Sequence, residues 1–396
     1  MISIAACRKI LIEAVVQTPA ELLPLLKASG TYLREDIHAP ISLPMFDESA
    51  VDGYTFSVMD LPQNQIMPVA FEVKAGDINK PVLKGGNCAR IFTGAPIPDG
   101  ADTVFKQEDI EVLEDKIRIP EGHLMEKGKH VRSAAEQCRR GDTILQKSQA
   151  LNPAAIGLLA NLGIEQVLAG SKPKVSIIST GSELKEPGQS IVHGQKYNSN
   201  SLLLQAAFQN IGIKAASHHC VDDKEKLQGL ISRETDRCDL LLVCGGVSVG
   251  NYDYTPLAVE ANDFKILFHG VSQKPGKPLL FAQKENKYLF GLPGNPRAVG
   301  VAFYLYLKPF VQLIMGAQKV FHPDFRIELG EHYQTTKGRT QFKAALIRNN
   351  KAFILSGQDS HMLKSLAEAD VLVELDGTLD FFPKGSLLNV YLVGAI

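Results

Sequence analysis

The sequence predicts a multidomain protein of the α/β-plus-β class, built around a doubly wound, mostly parallel sheet. Three observations predict it. From Lys174 onward, short apolar runs alternate with helical patterns, the order expected of strands joined by helical crossovers. The run Leu240–Cys244 is continuously apolar, as in a strand covered on both faces, and it leads straight into the turn Gly245-Gly246. Between Tyr32 and about Asp142, and again after Phe321, the pattern shortens to alternating runs broken by Gly, Pro and Asp, which reads as β structure.

Taken in order, Ser3 to Ala28 reads as helix, with Ile4, Cys7, Ile10, Leu11, Ala14 and Val15 on one face and Gly30 as the stop. Val69–Val73 and Ile117–Ile119 are strand-like pieces of a β-rich segment. A second helical patch follows at Asn152–Leu162, with Asn152 as N-cap and Pro153 at the first helical position. Val175–Ser179 and Lys214–His218 are predicted strands, and Asn200–Asn210 and Lys224–Asp236 predicted helices. A long helix is predicted over Pro296–Met315, ended by Gly316. Ala352–Leu355, Val371–Glu374 and Leu387–Leu392 read as strands of a small terminal β domain. The implied division is a helical linker domain (1–28 with 144–171), an inserted β-rich domain (29–143), an α/β domain (172–320) and a C-terminal β domain (321–396).

Composition narrows the function. A formal net charge of −1 over 396 residues gives no global field for nucleic acid, so an anionic ligand must be held locally. The six cysteines form no CxxC or Cys/His cluster, which predicts reduced thiols and a cytoplasmic protein, with Cys244 a small core residue. The N-terminal stretch is interrupted by Arg8, Lys9 and Glu13 and fits an amphipathic helix better than a signal peptide. No run is expected to span a membrane.

Four segments of the α/β region place polar or glycine turns at strand ends, where open α/β sheets bind ligands. Ser179-Thr180-Gly181-Ser182-Glu183 offers hydroxyls, N–H groups and a carboxylate. Val221–Glu225 contains Asp222, which with Glu225 fits first a helix-capping box and only second a site acid. Gly245-Gly246 with Ser248, Gly250 and Asp253 suits backbone approach to a phosphate. Lys274-Pro275-Gly276-Lys277-Pro278 and Leu292-Pro293-Gly294-Asn295-Pro296 set lysines and a helix start on rigid turns, and such a helix end favours an anion by about 0.3–1 kcal/mol. Glu183, Asp222 and Asp253 along one sheet edge would repel unless a cation joins them, and Mg²⁺ shared with phosphate oxygens suits that set.

These segments, with Pro44–Tyr54 and Thr93–Asp102 of the β-rich region, resemble the molybdopterin molybdenumtransferase family (MoeA and the gephyrin E domain) nearly end to end. The family's P-x-F-D-x-S-A-M-D-G-Y stands at Pro44–Tyr54 with Val51 for Met, and T-G-A-P-x-P-x-G-A-D at Thr93–Asp102. S-T-G-D-E-L stands at Ser179–Leu184 with Ser182 for Asp. G-G-V-S-V-G-x-x-D, K-P-G-K-P and L-P-G-N-P are intact at Gly245–Asp253, Lys274–Pro278 and Leu292–Pro296.

The resemblance implies a molybdopterin-binding, MogA-like α/β domain, a small C-terminal β-barrel, and insertion of molybdate into adenylylated molybdopterin with release of AMP and molybdenum cofactor. It implies a homodimer whose active sites are shared, Asp52 and Thr93 of one subunit meeting the α/β domain of the other, and a molybdopterin adenylyltransferase as substrate donor. Nucleic-acid and membrane partners are not implied. Asp52, Thr93, Glu183, Asp222, Asp253 and Lys274 match catalytic positions, and Asp222 and Asp253 are the expected Mg²⁺ ligands. Ser179, Thr180, Gly181, Gly245, Gly246, Ser248, Gly250, Lys277, Pro293, Gly294, Asn295, Pro296, Arg339 and Ser360 are the expected substrate contacts. Two departures bear on oxyanion charge: Gly270 stands where many relatives carry lysine, and Arg297-Ala298 where Val-Ser is usual, so that Arg297 either restores charge near the site or faces solvent. Tungstate insertion, or a pterin-binding paralogue or scaffold without catalysis, are the alternatives.

Overall fold

The computed structural model describes residues 1–123, 126–248 and 253–393. The chain divides into two compact units, one of residues 1–35, 148–156 and 166–396, the other of 36–147 and 157–165.

In the first unit a six-stranded sheet runs in the order Ala215–Cys220, Val175–Thr180, Leu240–Cys244, Lys287–Leu292, Leu280–Lys284, Lys265–His269. The first four strands are mutually parallel, and Leu280–Lys284 runs antiparallel to both of its neighbours, Lys287–Leu292 and Lys265–His269. Alternation along the strands divides the core. Ile177, Leu240, Leu242 and Phe290 pack with helices Ile4–Ala14, Ser199–Asn210 and Pro296–Met315. Ile178, Leu241, Val243 and Leu289 pack with Lys224–Thr235 and Thr255–Glu260 on the opposite face. The sheet is therefore doubly wound. Its chain order reverses between Val175–Thr180 and Leu240–Cys244, which makes the carboxyl ends of these two strands the switch point where ligands bind. Cys244 is a buried thiol, pushed up to about 12 by burial, as expected of a core residue.

The helix Pro296–Met315 is long and apolar enough to cross a membrane, against the expectation that no run is, but most of it lies inside the core. It is α-helical over Pro296–Ala302 and Lys308–Met315, with a π-turn at Phe303–Leu307 between. Pro309 supplies the cause. Its ring cannot donate to the carbonyl four residues back and would strike it, and the wider turn before it removes the clash. Gly316, at φ +113°, closes the helix in the left-handed conformation.

The C-terminal strands Phe325–Leu329, Thr340–Arg348, Lys351–Ile354, Val371–Leu375 and Leu387–Leu392 close into a five-stranded barrel around Leu329, Val373 and Val390. Alternate residues Phe342, Leu372 and Tyr391 point out of the barrel into the core that surrounds the long helix. One pairing joins the barrel to the α/β region: Gln273–Lys274 runs parallel to Thr340–Arg348, with Gln273 opposite Thr340 and Lys274 opposite Gln341.

The expected helix Ser3–Ala28 stops early. It spans Ile4–Ala14, and Ala20–Pro24 is a strand paired with Gln166–Gly170 before a short turn of helix at Leu25–Ala28. Pro19 and Pro24 explain the break, since neither can donate within a helix. The cap at Asn152 forms as expected, its side chain accepting the N–H of Ala155 at 2.8 Å.

The second unit holds a six-stranded sheet in the order Thr103–Lys106, Gly53–Phe56, Cys88–Ile91, Ile66–Val73, Lys116–Arg118, Glu111–Leu113, over a core that includes Phe56, Ile91 and Phe105. Gly53 is required there. A Cβ at this position would stand 1.7 Å from the Phe105 carbonyl oxygen.

Candidate active site

The switch point opens a cavity of about 530 Å³. Thr180, Gly181 and Glu183 line it from the first turn, Asp222 from the second, and Gly245, Gly246, Ser248 and Asp253 from the third. Pro293, Gly294 and Asn295 close it at the start of the long helix. The glycines let the chain crowd together. A Cβ on Gly245, at φ +104°, would lie 2.5 Å from Thr180 Oγ1. The Thr180 hydroxyl itself donates to the Cys244 carbonyl at 3.2 Å. Gly250 lies outside the described residues.

Asp222 does not cap the following helix. Asp223 does, its carboxylate accepting the Lys226 N–H at 2.9 Å. Asp222 instead accepts the Ser182 N–H at 2.8 Å, and the Asp222 N–H donates to Ser182 Oγ at 3.0 Å. This reciprocal pair ties the first turn to the second and holds Asp222 at the cavity wall. The capping-box expectation chose the wrong one of two adjacent aspartates.

A second cavity of about 390 Å³ adjoins the first and shares Pro278, Pro293 and Asn295 with it. Lys274, Lys277 and Arg339 bring three cations to its walls, and Asp359, Ser360 and His361 come from the barrel. Asn295 Nδ2 donates to Ser360 Oγ at 2.8 Å across the shared edge. The expected contacts Lys277, Arg339 and Ser360 thus meet Lys274 in one place. Ser179 and Pro296 line neither cavity. Ser179 is buried and shares a 2.5 Å hydrogen bond with Ser201, because strand alternation turns it to the helix side while Thr180 faces the cavity. Pro296 is the first residue of the long helix.

Arg297 takes neither of its expected roles. It is 1 % exposed, and its guanidinium donates to the carbonyls of Gln358, at 2.8 Å, and Phe342, at 3.0 Å, and to the Gln358 side chain. The Arg297 N–H also donates to the Ser360 carbonyl at 3.2 Å. It fastens the barrel's 358–360 segment to the helix start. Burial brings Arg297 down to about 10, and burial with the charges of Arg297 and Lys274 brings Lys343 down to about 8. A charged residue inside an apolar helical run is the sequence signal for such a tether. Gly270 sits in a turn at φ +96°, its N–H bonded to the Leu279 carbonyl, a position built for glycine.

In the other unit, Asp52 Oδ1 accepts both the N–H and the hydroxyl of Thr93 at 2.8 Å. These two bonds hold the Asp52 carboxyl below the usual aspartate range, with Arg90 assisting. A depressed carboxylate contributes its stability above the ordinary aspartate value and loses it only as pH falls through the lower folded-state value, so Asp52 is ionised at neutral pH. Thr93→Val removes the hydroxyl donor and is expected to move the Asp52 titration upward, read by NMR of the side-chain carboxyl carbon. An unmoved titration would mean that the backbone N–H alone sets it.

Among the described residues no three His, Cys, Asp or Glu side chains cluster as a metal cage. Asp222 and Asp253 on one cavity nevertheless suit Mg²⁺, which takes one or two protein carboxylates and completes its shell with water and phosphate oxygens.

Comparison with known proteins accounts for the chain from end to end. Residues 2–163 match the MoeA N-terminal region (domain I and II), 176–313 a probable molybdopterin binding domain, and 326–393 the MoeA C-terminal region (domain IV). Molybdopterin molybdenumtransferase 2 of Mycobacterium tuberculosis is 32% identical over 382 residues, covering 93% of this chain and 94% of the relative. The molybdopterin molybdenumtransferase of Staphylococcus aureus is 32% identical over 384 residues, covering 94% and 91%. The molybdopterin biosynthesis moeA protein of Pyrococcus horikoshii OT3 superposes with a TM-score of 0.80 at 27% identity, over 99% of this chain and 100% of that one.

Proposed function

The chain belongs to the molybdopterin molybdenumtransferase family and is a transferase of molybdenum cofactor biosynthesis, and from that premise we propose how its cavities divide the work. The switch-point cavity takes the phosphate end of adenylylated molybdopterin, and the adjoining cationic cavity takes molybdate. The product pair is molybdenum cofactor and AMP. The observation that carries this reading is the shared edge of the two cavities at Pro278, Pro293 and Asn295, one lined by hydroxyls, glycines and carboxylates, the other by Lys274, Lys277 and Arg339.

The residues have distinct tasks. The Gly245-Gly246 turn lets a phosphate approach the backbone closely, and Ser248 offers it a hydroxyl. Lys274 and Lys277 supply point charges, while Arg339 supplies a planar fork, to a tetrahedral dianion. Asp222 and Asp253 are the residues that would hold Mg²⁺, which would supply positive charge against the phosphate oxygens. Glu183, on the same wall, orients the pterin side of the substrate. A second copy of the chain completes each site with its own Asp52 and Thr93. Support for this comes from the exposed, ionised state in which Thr93 holds Asp52, and from the family resemblance. A molybdopterin adenylyltransferase supplies the substrate, and six free, buried cysteines suit a reducing cytoplasm.

The test supplies purified protein with adenylylated molybdopterin, molybdate and Mg²⁺. Molybdate-dependent AMP release, together with cofactor that activates an apo-molybdoenzyme, is the expected result. AMP release that ignores molybdate would refute the division of the cavities.

A further inference from the structure

We propose that Gln273 and Tyr306 are positioning residues of the cationic cavity, holding the Lys274–Lys277 turn and Arg339 in the arrangement that grips the oxyanion. The inference rests on the reading of that cavity given above. Both side chains are 0 % exposed, and neither lines a cavity at the site. The Tyr306 hydroxyl, presented by the π-turn, donates to Gln273 Oε1. Gln273 Nε2 donates to the Pro275 carbonyl at 3.0 Å, inside the lysine turn. The Gln273 carbonyl accepts from Arg339 Nη1 at 3.2 Å. One residue therefore touches both cationic walls.

The geometry has a single sense. A phenol that donates to Oε1 turns the amide nitrogen toward Pro275, so the tyrosine fixes which way the glutamine points. The amide lies tight against the turn, since a Cβ on Gly276 would stand 3.0 Å from Gln273 Nε2. Lys274, Lys277 and Arg339 repel one another when the cavity is empty of anion, so a rigid support beneath them preserves an arrangement they would not keep by themselves. An apolar residue at 273 would leave the Tyr306 hydroxyl and the Pro275 carbonyl buried without partners.

The test uses Gln273→Met and Tyr306→Phe, which nearly keep volume and remove the side-chain hydrogen bonds while leaving the Gln273 carbonyl to Arg339, and the double variant. Steady-state kinetics give kcat and the KM for molybdate and for adenylylated molybdopterin separately, and calorimetry gives binding of molybdate alone. Either single change is expected to raise the molybdate KM by about tenfold, with the pterin KM unchanged. The double variant is expected to fall within about twofold of the worse single one, because the two residues act as one device. A molybdate KM within about twofold of the parent in Tyr306→Phe overturns the proposal, whatever the melting temperature does. So do effects that simply multiply in the double variant. Should Gln273→Met fail to fold, Tyr306→Phe, lacking one oxygen, carries the test. Parent protein that binds no molybdate refutes the reading of the cavity and the inference with it. Parent and variants that bind it equally refute the inference alone.

Discussion

Arg297→Ala lowers the stability of the protein by about 4 kcal/mol, the expected outcome of removing a buried guanidinium and several of its hydrogen bonds at once. The Phe342 and Gln358 carbonyls lose the guanidinium as donor, Gln358 Oε1 loses one of its two donors, and the space of a guanidinium is left behind. Lysine is a poor replacement, for its single ammonium cannot span acceptors that a planar fork reaches together. Methionine should do better than alanine. It fills the volume and removes the cost of burying a cation whose bonded partners among the described residues are carbonyl and amide oxygens. Gln358 keeps its own bonds to Ala344 and Leu355 in every variant, so the loss concentrates where the 358–360 segment meets the helix start. Scanning calorimetry checks the order alanine, lysine, methionine from least to most stable. An unshifted transition in Arg297→Ala would show that the carbonyls find other donors.

Lys274→Ala and Asp253→Ala are each expected to cut turnover by about 10²–10³-fold, the scale of losing one charge aimed at developing anionic charge. The two losses should differ in kind. Lys274 lines the cationic cavity, so its removal is expected to raise the molybdate requirement. Asp253 lines the switch-point cavity, so its removal is expected to raise the Mg²⁺ requirement. Lys274 is exposed, and its replacement should leave the thermal transition nearly where it was. Activity that survives both substitutions would overturn the assignment of these residues. Activity lost with equal shifts in both requirements would overturn the division of the cavities.

Much of this site is legible in the sequence because its parts are turns at strand ends, and turn chemistry is local. The strand Leu240–Cys244 announces itself by an unbroken apolar run, and the glycines after it by their type. What stays hidden depends on partners distant in the chain. Asp222 and Asp223 are equivalent as letters before a helix, and only the Ser182 turn, forty residues away, separates the cap from the wall. Arg297 reads as a charge near the site or a solvated helical residue until the barrel is packed over it. Ser179 and Thr180 are both plausible ligand hydroxyls, and the phase of the strand decides between them. Gln283 and Tyr288 flank a tight hairpin whose turn residue Glu285, at φ +53°, carries none of the usual Asn-Gly signal. Pro19 and Pro24 are breakers that stand in the sequence, but the helical spacing before them masks where the helix ends.

The two-residue strand Gln273–Lys274 hydrogen-bonds to the barrel while its lysine faces the cationic cavity. That shared strand makes substrate a partner in the equilibrium that docks the barrel. An oxyanion that binds only the docked form contributes RT ln(1 + [L]/Kd), about 2.7 kcal/mol at a hundredfold excess over Kd. Reciprocally, whatever loosens the barrel weakens the oxyanion by the same factor. With molybdate in that cavity as proposed, its supply and the mechanical integrity of the C-terminal barrel become two handles on a single thermodynamic variable.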